Sequence, residues 1–301
     1  MILLVGFGYW GKNLARNFNN ELVAVCDKEI SRLNMAKKLY PNIETFQDLD
    51  KALRHPQVQA ILIATKANTH HEIAVQCLEA NKDIWIEKPI CENLTEARHL
   101  EHLAKERDKI IFVDHTFCYH PAVQKIKTID IGKPIYYDST RISLGLFQSD
   151  VDALLDLAIH DASIINYLYP NLQLIEKTII KNYHVNDKAN QVIVNLKFDN
   201  EFTATINCNW VSPVKKRQII LTGEKNSIVY DDIDLDKIKV YDTGNINTDY
   251  NANQVGDICI PKIETTEALA NGRLHFLDCI KNRVQPITNV NQSLKIMEWL
   301  L

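Results

Sequence analysis

Short apolar runs alternate with amphipathic segments along the first 115 residues. The run Ala60–Ala64 is apolar throughout, as expected for a parallel strand buried on both faces. Further apolar runs predict strands at Ile2–Val5, Leu22–Cys26, Asp83–Ile86 and Ile110–Val113. Helices are predicted between the strands, at Lys12–Phe18, Ser31–Leu39 with Ser31 as N-cap, Leu49–Arg54, His71–Ala80 and Leu94–Glu106. This alternation predicts a doubly wound α/β domain.

Strand patterns dominate the rest of the chain. After a predicted helix at Pro121–Thr128, strands are predicted at Ile135–Leu144, Gln191–Phe198, Phe202–Trp210, Arg217–Leu221, Ser227–Tyr230 and Lys237–Tyr241. Further helices are predicted at Ala153–Tyr169, Thr265–Asn282 and Asn291–Leu301, and the Asn-rich segment Asp242–Gly256 is predicted to be an exposed loop. The strands indicate one open, mainly antiparallel sheet. A doubly wound parallel domain, residues 1–117, is therefore expected to precede an α+β domain, residues 118–301, whose C-terminal helices are candidates to pack back on the first domain.

Composition excludes several classes of protein. The 301 residues carry a formal net charge of −4, so no broad basic surface for nucleic acid is expected. No apolar run approaches the roughly 20 residues that span a membrane. Because the first predicted strand begins at Ile2, we expect no signal or transit peptide. The seven cysteines lack a CxxC pair and metal-ligand spacing. We therefore expect reduced thiols, no metal site and a cytoplasmic location.

A glycine motif directly follows the first predicted strand. Gly6-Phe7-Gly8-Tyr9-Trp10-Gly11 has the GxGxxG spacing, in the order of strand, glycines, helix, second strand and acid. The first glycine permits a tight turn, the second lets the backbone approach a pyrophosphate, and the third lets the helix pack on the strand. The helix N-terminus offers free N–H groups to phosphates. Gly6–Gly11 therefore predicts a Rossmann dinucleotide-binding domain.

Asp27 ends the second predicted strand, where a carboxylate binds both hydroxyls of the adenine ribose. The same carboxylate repels a 2′-phosphate, which favours NAD over NADP. Arg32, together with Lys28, supplies cations that suit such a phosphate, so NADP stays open as an alternative.

Two further segments end strands at the edge of the sheet where ligands bind. Thr65, Asn68 and His70 follow the fourth strand, and Glu87 and Lys88 follow the fifth. All five residues are predicted to contact the cofactor near its nicotinamide end.

Oxidation of an alcohol needs a base whose pKa lies near the working pH, and histidine meets that need. Asp156 and His160 lie four residues apart in a predicted helix and so share one of its faces, where the carboxylate orients the imidazole. Lys88 is placed to hydrogen-bond the reacting oxygen and to stabilise charge that develops there. These three residues are the candidate catalytic group.

The motifs Gly6–Gly11, Thr65…His70, Glu87-Lys88-Pro89 and Asp156…His160-Asp161, in that order, resemble the glucose-fructose oxidoreductase / inositol dehydrogenase family, Gfo/Idh/MocA. The resemblance implies an NAD(P)-dependent sugar or polyol dehydrogenase, with Lys88 and His160 as the catalytic pair and Asp156 in support. It also implies an open sheet used for oligomerisation, and hence a homodimer or homotetramer.

The segments Val113–Val123, Ser139–Gly145 and Ser149–Asp156 resemble a branch that serves nucleotide-sugar and surface-polysaccharide pathways, the UDP-N-acetylglucosamine 3-dehydrogenase-like proteins. This finer resemblance implies oxidation of a sugar C3 hydroxyl. Tyr119 and Arg141 are candidates for substrate contacts, and Arg141 suits a phosphate or carboxylate; a solvated strand residue is the alternative for Arg141. Three other functions stay open: an NADPH-dependent keto-sugar reductase, a free-sugar or inositol dehydrogenase, and a dinucleotide-binding regulator without catalysis.

Overall fold

The computed structural model describes residues 1–145, 147–243 and 256–301. The chain forms two compact units: Met1–Thr116 together with Glu267–Trp299, and Phe117–Thr266. Among the described residues, every helix is too short or too polar to form a transmembrane segment, and no three His, Cys, Asp or Glu side chains cluster as metal ligands would.

The first unit contains a six-stranded parallel sheet with the order β3-β2-β1-β4-β5-β6. Its strands are β1 Ile2–Val5, β2 Leu22–Cys26, β3 Glu44–Phe46, β4 Ala60–Ile63, β5 Asp83–Glu87 and β6 Ile111–Asp114. Its connecting helices are α1 Tyr9–Asn17, α2 Ile30–Leu39, α3 Leu49–Leu53, α4 His70–Glu79 and α5 Leu94–Glu106, with a 3-10 turn at Ala67–Thr69. Strands β1, β4, β5 and β6 are buried along their whole length, which explains their continuous apolar sequences.

The second unit contains an eight-stranded sheet with the order β14-β13-β12-β11-β7-β10-β9-β8. Its strands are β7 Pro134–Leu144, β8 Leu174–Asn182, β9 Gln191–Phe198, β10 Thr203–Asn209, β11 Val211–Gly223, β12 Asn226–Asp231, β13 Ile238–Asp242 and β14 Ile258–Cys259. The pair β7 and β10 is parallel, whereas the other pairs are antiparallel. Helices α6 Pro121–Ile126 and α7 Ile159–Leu168 accompany the sheet, with a 3-10 turn at Thr116–Tyr119 and a π-helical turn at Leu154–Ala158.

The chain then returns to the first unit through α8 Ala268–Asn282 and α9 Val290–Leu300. Phe276 on α8 is fully buried and meets Phe18, Trp85 and Phe112 edge-on, at ring-centroid distances of 6.3, 5.6 and 5.6 Å. Trp85 itself stacks on Phe112 at 4.0 Å. An aromatic cluster therefore joins α8 to strands β5 and β6, at one side of the parallel sheet.

The predicted fold class, a doubly wound parallel sheet followed by a mainly antiparallel one, is confirmed. The second sheet is mixed rather than wholly antiparallel, because β7 runs parallel to β10. The predicted N-cap Ser31 is wrong: α2 begins at Ile30, and the N-cap position belongs to Glu29. Strands β3, β8 and β14 had no predicted counterpart. Most of the predicted Asn-rich loop, residues 244–255, lies outside the described residues.

Candidate active site

The glycine turn is crowded at Gly6 and Gly11, where the backbone packs closely, and open at Gly8, where a phosphate would approach. Gly6 has a φ of +95°, and a Cβ there would lie 2.6 Å from the Ala64 carbonyl oxygen. A Cβ on Gly11 would lie 2.0 Å from the Gly6 oxygen. A Cβ on Gly8 would meet only the Arg32 Nη1, at 3.8 Å. Each glycine therefore meets the requirement that its position in a dinucleotide-binding motif imposes.

Helix α1 begins directly after Gly8, so its first N–H groups face this open side of the turn. The side chains of the motif divide between core and surface. Phe7 is fully buried and packs edge-on against Tyr40, with ring centroids 6.4 Å apart, whereas Tyr9 is 86% exposed. Only the backbone of Phe7 is available at the turn.

Asp27 accepts two backbone hydrogen bonds, from Phe7 N to Oδ2 at 2.7 Å and from Glu29 N to Oδ1 at 2.9 Å. These bonds fix the carboxylate beside the glycine turn, where a ribose-binding acid of a Rossmann domain stands. Arg32 Nη1 lies 3.6 Å from Asp27 Oδ2, and Arg32 Nη2 lies 2.7 Å from Glu29 Oε1. Lys28 is exposed, and its carbonyl accepts a hydrogen bond from the Gln47 side chain. The glycine turn, Asp27 and Arg32 therefore lie close together, in the arrangement that was predicted from the motif.

His70 joins the two loops that were predicted to face the nicotinamide end. Its imidazole is buried, with Nδ1 at 2.8 Å from the Pro89 carbonyl oxygen and Nε2 at 3.2 Å from the Thr65 carbonyl oxygen. Thr69 Oγ1 donates to Thr65 Oγ1 at 2.8 Å, while Asn68 is exposed. The geometry gives His70 a structural task, since it holds the segment that carries Lys88.

Glu87 and Asp114 end the neighbouring strands β5 and β6 and are register partners. Both carboxyl groups are buried and in contact, and Thr116 Oγ1 donates to Asp114 Oδ1 at 2.8 Å. Burial and the neighbouring Asp114 raise the pKa of Glu87 well above its usual range, while Lys88 opposes the shift. Burial likewise raises the pKa of Asp114.

His115 follows this acid pair and is also buried. Its Nε2 lies 2.9 Å from the Ser293 hydroxyl on α9. Burial, with a smaller effect of the Lys88 charge, lowers the pKa of His115 to about 3. The imidazole is therefore neutral at physiological pH, and the charged groups near Lys88 in this unit are carboxylates.

In the second unit, Asp156 lies in the π-helical turn and His160 lies in the first turn of α7. Trp210 Nε1 donates to Asp156 Oδ2 at 3.1 Å. The His160 ring meets the edge of Phe117, with ring centroids 5.0 Å apart, and its backbone carbonyl accepts from Ser163 Oγ at 2.7 Å. Both candidate catalytic side chains are half-buried. Single π-helical turns of this kind are frequent at functional sites.

Arg141 lies in a buried ion pair. Its Nε donates to Asp161 Oδ2 at 2.9 Å, and its guanidinium covers the Phe117 ring at 4.4 Å. Tyr137 donates its hydroxyl to the other oxygen, Asp161 Oδ1, at 2.9 Å. Burial lowers the pKa of Arg141, but the charge and hydrogen bond of Asp161 raise it by more, so the pKa of Arg141 lies above its usual value. Tyr119, the other predicted substrate contact, is also buried.

Sequence reasoning missed several of these side chains. The contacts of Phe117 and Trp210 follow only from the packing of the second unit. Asp161 was part of the motif Asp156…His160-Asp161, but its bond with Arg141 was not predicted. Asp114 and His115 carried a readable signal, because they directly follow the predicted strand Ile110–Val113 at the edge of the sheet where ligands bind.

Comparison with known proteins supports the same interpretation. Residues 1–115 match the Gfo/Idh/MocA family, described as an oxidoreductase family with an NAD-binding Rossmann fold. The chain is 26% identical over 222 residues to UDP-N-acetylglucosamine 3-dehydrogenase of Acidithiobacillus ferrooxidans, covering 72% of this chain and 69% of that protein. It is 22% identical over 312 residues to scyllo-inositol 2-dehydrogenase (NAD(+)) of Bacillus subtilis, covering 96% and 87%.

A solved structure of the Acidithiobacillus ferrooxidans enzyme superposes with a TM-score of 0.87 at 22% sequence identity, covering 99% of this chain and 94% of that one. At this identity the likeness shows a shared fold through both units.

The glycine turn, the fixed Asp27 and the strand order define a nicotinamide-dependent oxidoreductase with an NAD-binding Rossmann domain. Residues 1–115 match the Gfo/Idh/MocA oxidoreductase family, and this match confirms the resemblance, the NAD cofactor and the enzymatic class predicted from the motifs.

Proposed function

We propose that the protein oxidises a secondary hydroxyl of a sugar with NAD, and that its substrate is a nucleotide sugar of the UDP-N-acetylglucosamine type, oxidised at C3. The observation that carries the proposal is the presence of Lys88, Asp156 and His160 together, in a chain whose fold is similar to that of a UDP-N-acetylglucosamine 3-dehydrogenase. A chain that only sensed a dinucleotide would have no use for all three side chains.

We assign each residue one role. His160 in its neutral form accepts the proton of the substrate hydroxyl. Asp156, held by the Trp210 indole, favours the imidazolium that results. Lys88 donates a hydrogen bond to the same oxygen and stabilises its developing negative charge. NAD, when bound, supplies the acceptor for the hydride that leaves the carbon.

The chain's own groups hold that cofactor. The first N–H groups of α1 and the open approach at Gly8 suit the pyrophosphate. Asp27 suits the adenine ribose, because both of its oxygens are already oriented by backbone donors. The loops carrying Thr65 and Lys88, joined by His70, suit the nicotinamide end.

One observation favours a second candidate, reduction of a keto sugar with NADPH. Arg32 places a guanidinium within 3.6 Å of Asp27 and beside Gly8, where it would meet a ribose 2′-phosphate. The carboxylate of Asp27 opposes this, since it repels the same phosphate. NAD-dependent oxidation is therefore the reaction we favour.

The decisive experiment follows the absorbance of reduced nicotinamide while purified protein meets NAD and a panel of UDP-sugars, dTDP-sugars, free sugars and inositols. We expect turnover with a UDP-N-acetylhexosamine and a product two hydrogens lighter. Deuterium at C3 of the substrate should appear in the reduced cofactor and slow turnover. Label retained in the product would contradict C3 oxidation, and preference for inositols would replace the nucleotide sugar.

We further propose that the 3-keto sugar serves surface-polysaccharide biosynthesis in the cytoplasm and that the protein is a homodimer or homotetramer. The outer face of the second sheet supports an assembly, because side chains along β8, β9 and β10 are exposed there, among them Asn195, which accepts a 2.9 Å hydrogen bond from the Thr205 hydroxyl. Light scattering after size-exclusion chromatography tests the assembly, and a monomeric mass would reject it.

A further inference from the structure

Two acids lie at the carboxyl edge of the parallel sheet, where the proposed reaction needs a cation. Glu87 and Asp114 end adjacent strands in register, and their side chains are in contact and almost fully buried. Two buried carboxylates in contact cannot both ionise without a large electrostatic penalty. A pair of carboxyl groups that shares a site relieves this penalty by retaining one proton between the two groups.

The hydrogen-bond pattern also indicates that Glu87 and Asp114 hold one proton between them. As carboxylates, Glu87 Oε1 and Asp114 Oδ2 are both buried, and no described residue donates a hydrogen bond to either oxygen. Asp114 Oδ1, by contrast, has the Thr116 hydroxyl as its donor. A proton on Glu87, donated to Asp114, gives each carboxyl a partner, whereas an ionised pair leaves two buried acceptors unsatisfied.

The neighbouring groups show what this arrangement does. Lys88 favours the ionised form of both acids, and so does the Trp10 indole N–H from α1, which lies near both acids but outside hydrogen-bond geometry. The remaining titratable neighbour is His115, which stays neutral beside Ser293. Glu87 and Asp114 together therefore carry one negative charge beside Lys88.

We propose that Glu87 and Asp114 form a buried acid pair that shares one proton and presents a single negative charge to Lys88. Glu87 holds the proton, and Asp114 carries the charge. Both are then positioning residues for Lys88. This inference rests on the role proposed for Lys88 in the reaction, but the protonation of the pair is a property of the resting protein.

The pair responds differently to two kinds of amide substitution. Glu87→Gln replaces a neutral acid by a neutral amide that still donates to Asp114, so kcat should fall less than in the double variant that also removes the Asp114 charge. Glu87→Gln with Asp114→Asn removes the remaining charge, so kcat should fall by about tenfold or more, while the Kd for NAD changes less. Glu92→Gln, at an exposed position in the loop that follows, is the matched control.

Infrared spectroscopy at neutral pH tests the proton directly. The original protein should show the C=O band of one protonated carboxyl group, and the spectrum of Glu87→Gln should lack this band. The control variant Glu92→Gln should still show it. Absence of that band overturns the shared proton, whether or not the double variant folds. A loss of kcat in Glu87→Gln as large as in the double variant overturns the assignment of the charge to Asp114. Should no sugar be oxidised by the original protein, the proposed function fails, while the band still decides the pair.

Discussion

Replacing Tyr137 by phenylalanine removes one hydroxyl from a fully buried polar group of the second unit. That hydroxyl donates to Asp161 Oδ1 at 2.9 Å, and Asp161 has no exposed surface. The pKa of Tyr137 is raised well above its usual range by burial and by Asp161, so the hydroxyl remains a donor at every pH of an ordinary assay. After the substitution, one oxygen of a buried carboxylate has lost its donor, and Arg141 remains to compensate the charge.

The size of the effect follows from this geometry. A hydrogen bond to a charged group contributes about 1.5–3 kcal/mol, and this one lies out of reach of bulk water, so we expect a loss of about 2 kcal/mol. Arg141 keeps the loss below the 3–5 kcal/mol or so that breaking a buried ion pair costs. Tyr136→Phe is the matched control, because Tyr136 precedes Tyr137 on β7 and is 39% exposed. Its effect should stay within about 0.5 kcal/mol.

Hydrogen exchange measured by mass spectrometry resolves the two units, which a single melting curve does not. The slowest amides of β9 and β10 should lose protection in Tyr137→Phe by the equivalent of about 2 kcal/mol, while those of β4 and β5 keep theirs. A loss no larger than that of Tyr136→Phe would refute the reasoning, and would mean that Asp161 finds another donor or water.

Four further outcomes are expected. His160→Ala should lower kcat by about a hundredfold or more and leave the Kd for NAD within about twofold in calorimetry, because the imidazole acts on the substrate proton; unchanged turnover would remove its role as base. Asp27→Ala should weaken NAD far more than NADP in the same assay, and equal weakening would contradict ribose binding. Gly11→Ala should abolish NAD binding, because the added Cβ would lie 2.0 Å from the Gly6 oxygen; normal affinity would show that the turn adapts. His115 has a folded pKa of about 3, so the unfolded chain binds more protons below about pH 6.5, and stability in urea should fall by about 2 kcal/mol between pH 6.5 and 5. His115→Gln should reduce that fall, and an unaltered pH dependence would show that other groups cause it.

Elements with strong local signals were predictable from the sequence. Helix α5 has the predicted bounds, Leu94–Glu106, because its buried residues recur at helical spacing and the Asn93 side chain caps its first turn. Strand β8 was missed, since it lies at the edge of its sheet and leaves Ile175 and Ile180 exposed. An edge strand without a buried face lacks the alternation that identifies strands.

The candidate site was predictable in its chemistry but not in its partners. The carboxyl edge of a parallel sheet gathers residues that follow strands, so the sequence indicated Thr65 and Lys88. It did not give the strand order, which alone makes Glu87 and Asp114 neighbours. The contact between Arg141 and Asp161 depends on packing across the second unit, which no local pattern encodes.

The return of the chain to the first unit has a consequence for cutting the protein into fragments. The Rossmann unit is discontinuous: α8 and α9 are encoded after the whole second sheet, and Phe276 completes the aromatic cluster around Trp85. The ion pairs Arg273–Glu21 and Arg283–Asp83 also link residues about 200 or more positions apart. A fragment ending at Thr116 would expose Trp85 and Phe112 to water. An autonomous cofactor-binding fragment would instead need residues 267–299 joined to residue 116 by a short linker, with the second unit excised as an insertion.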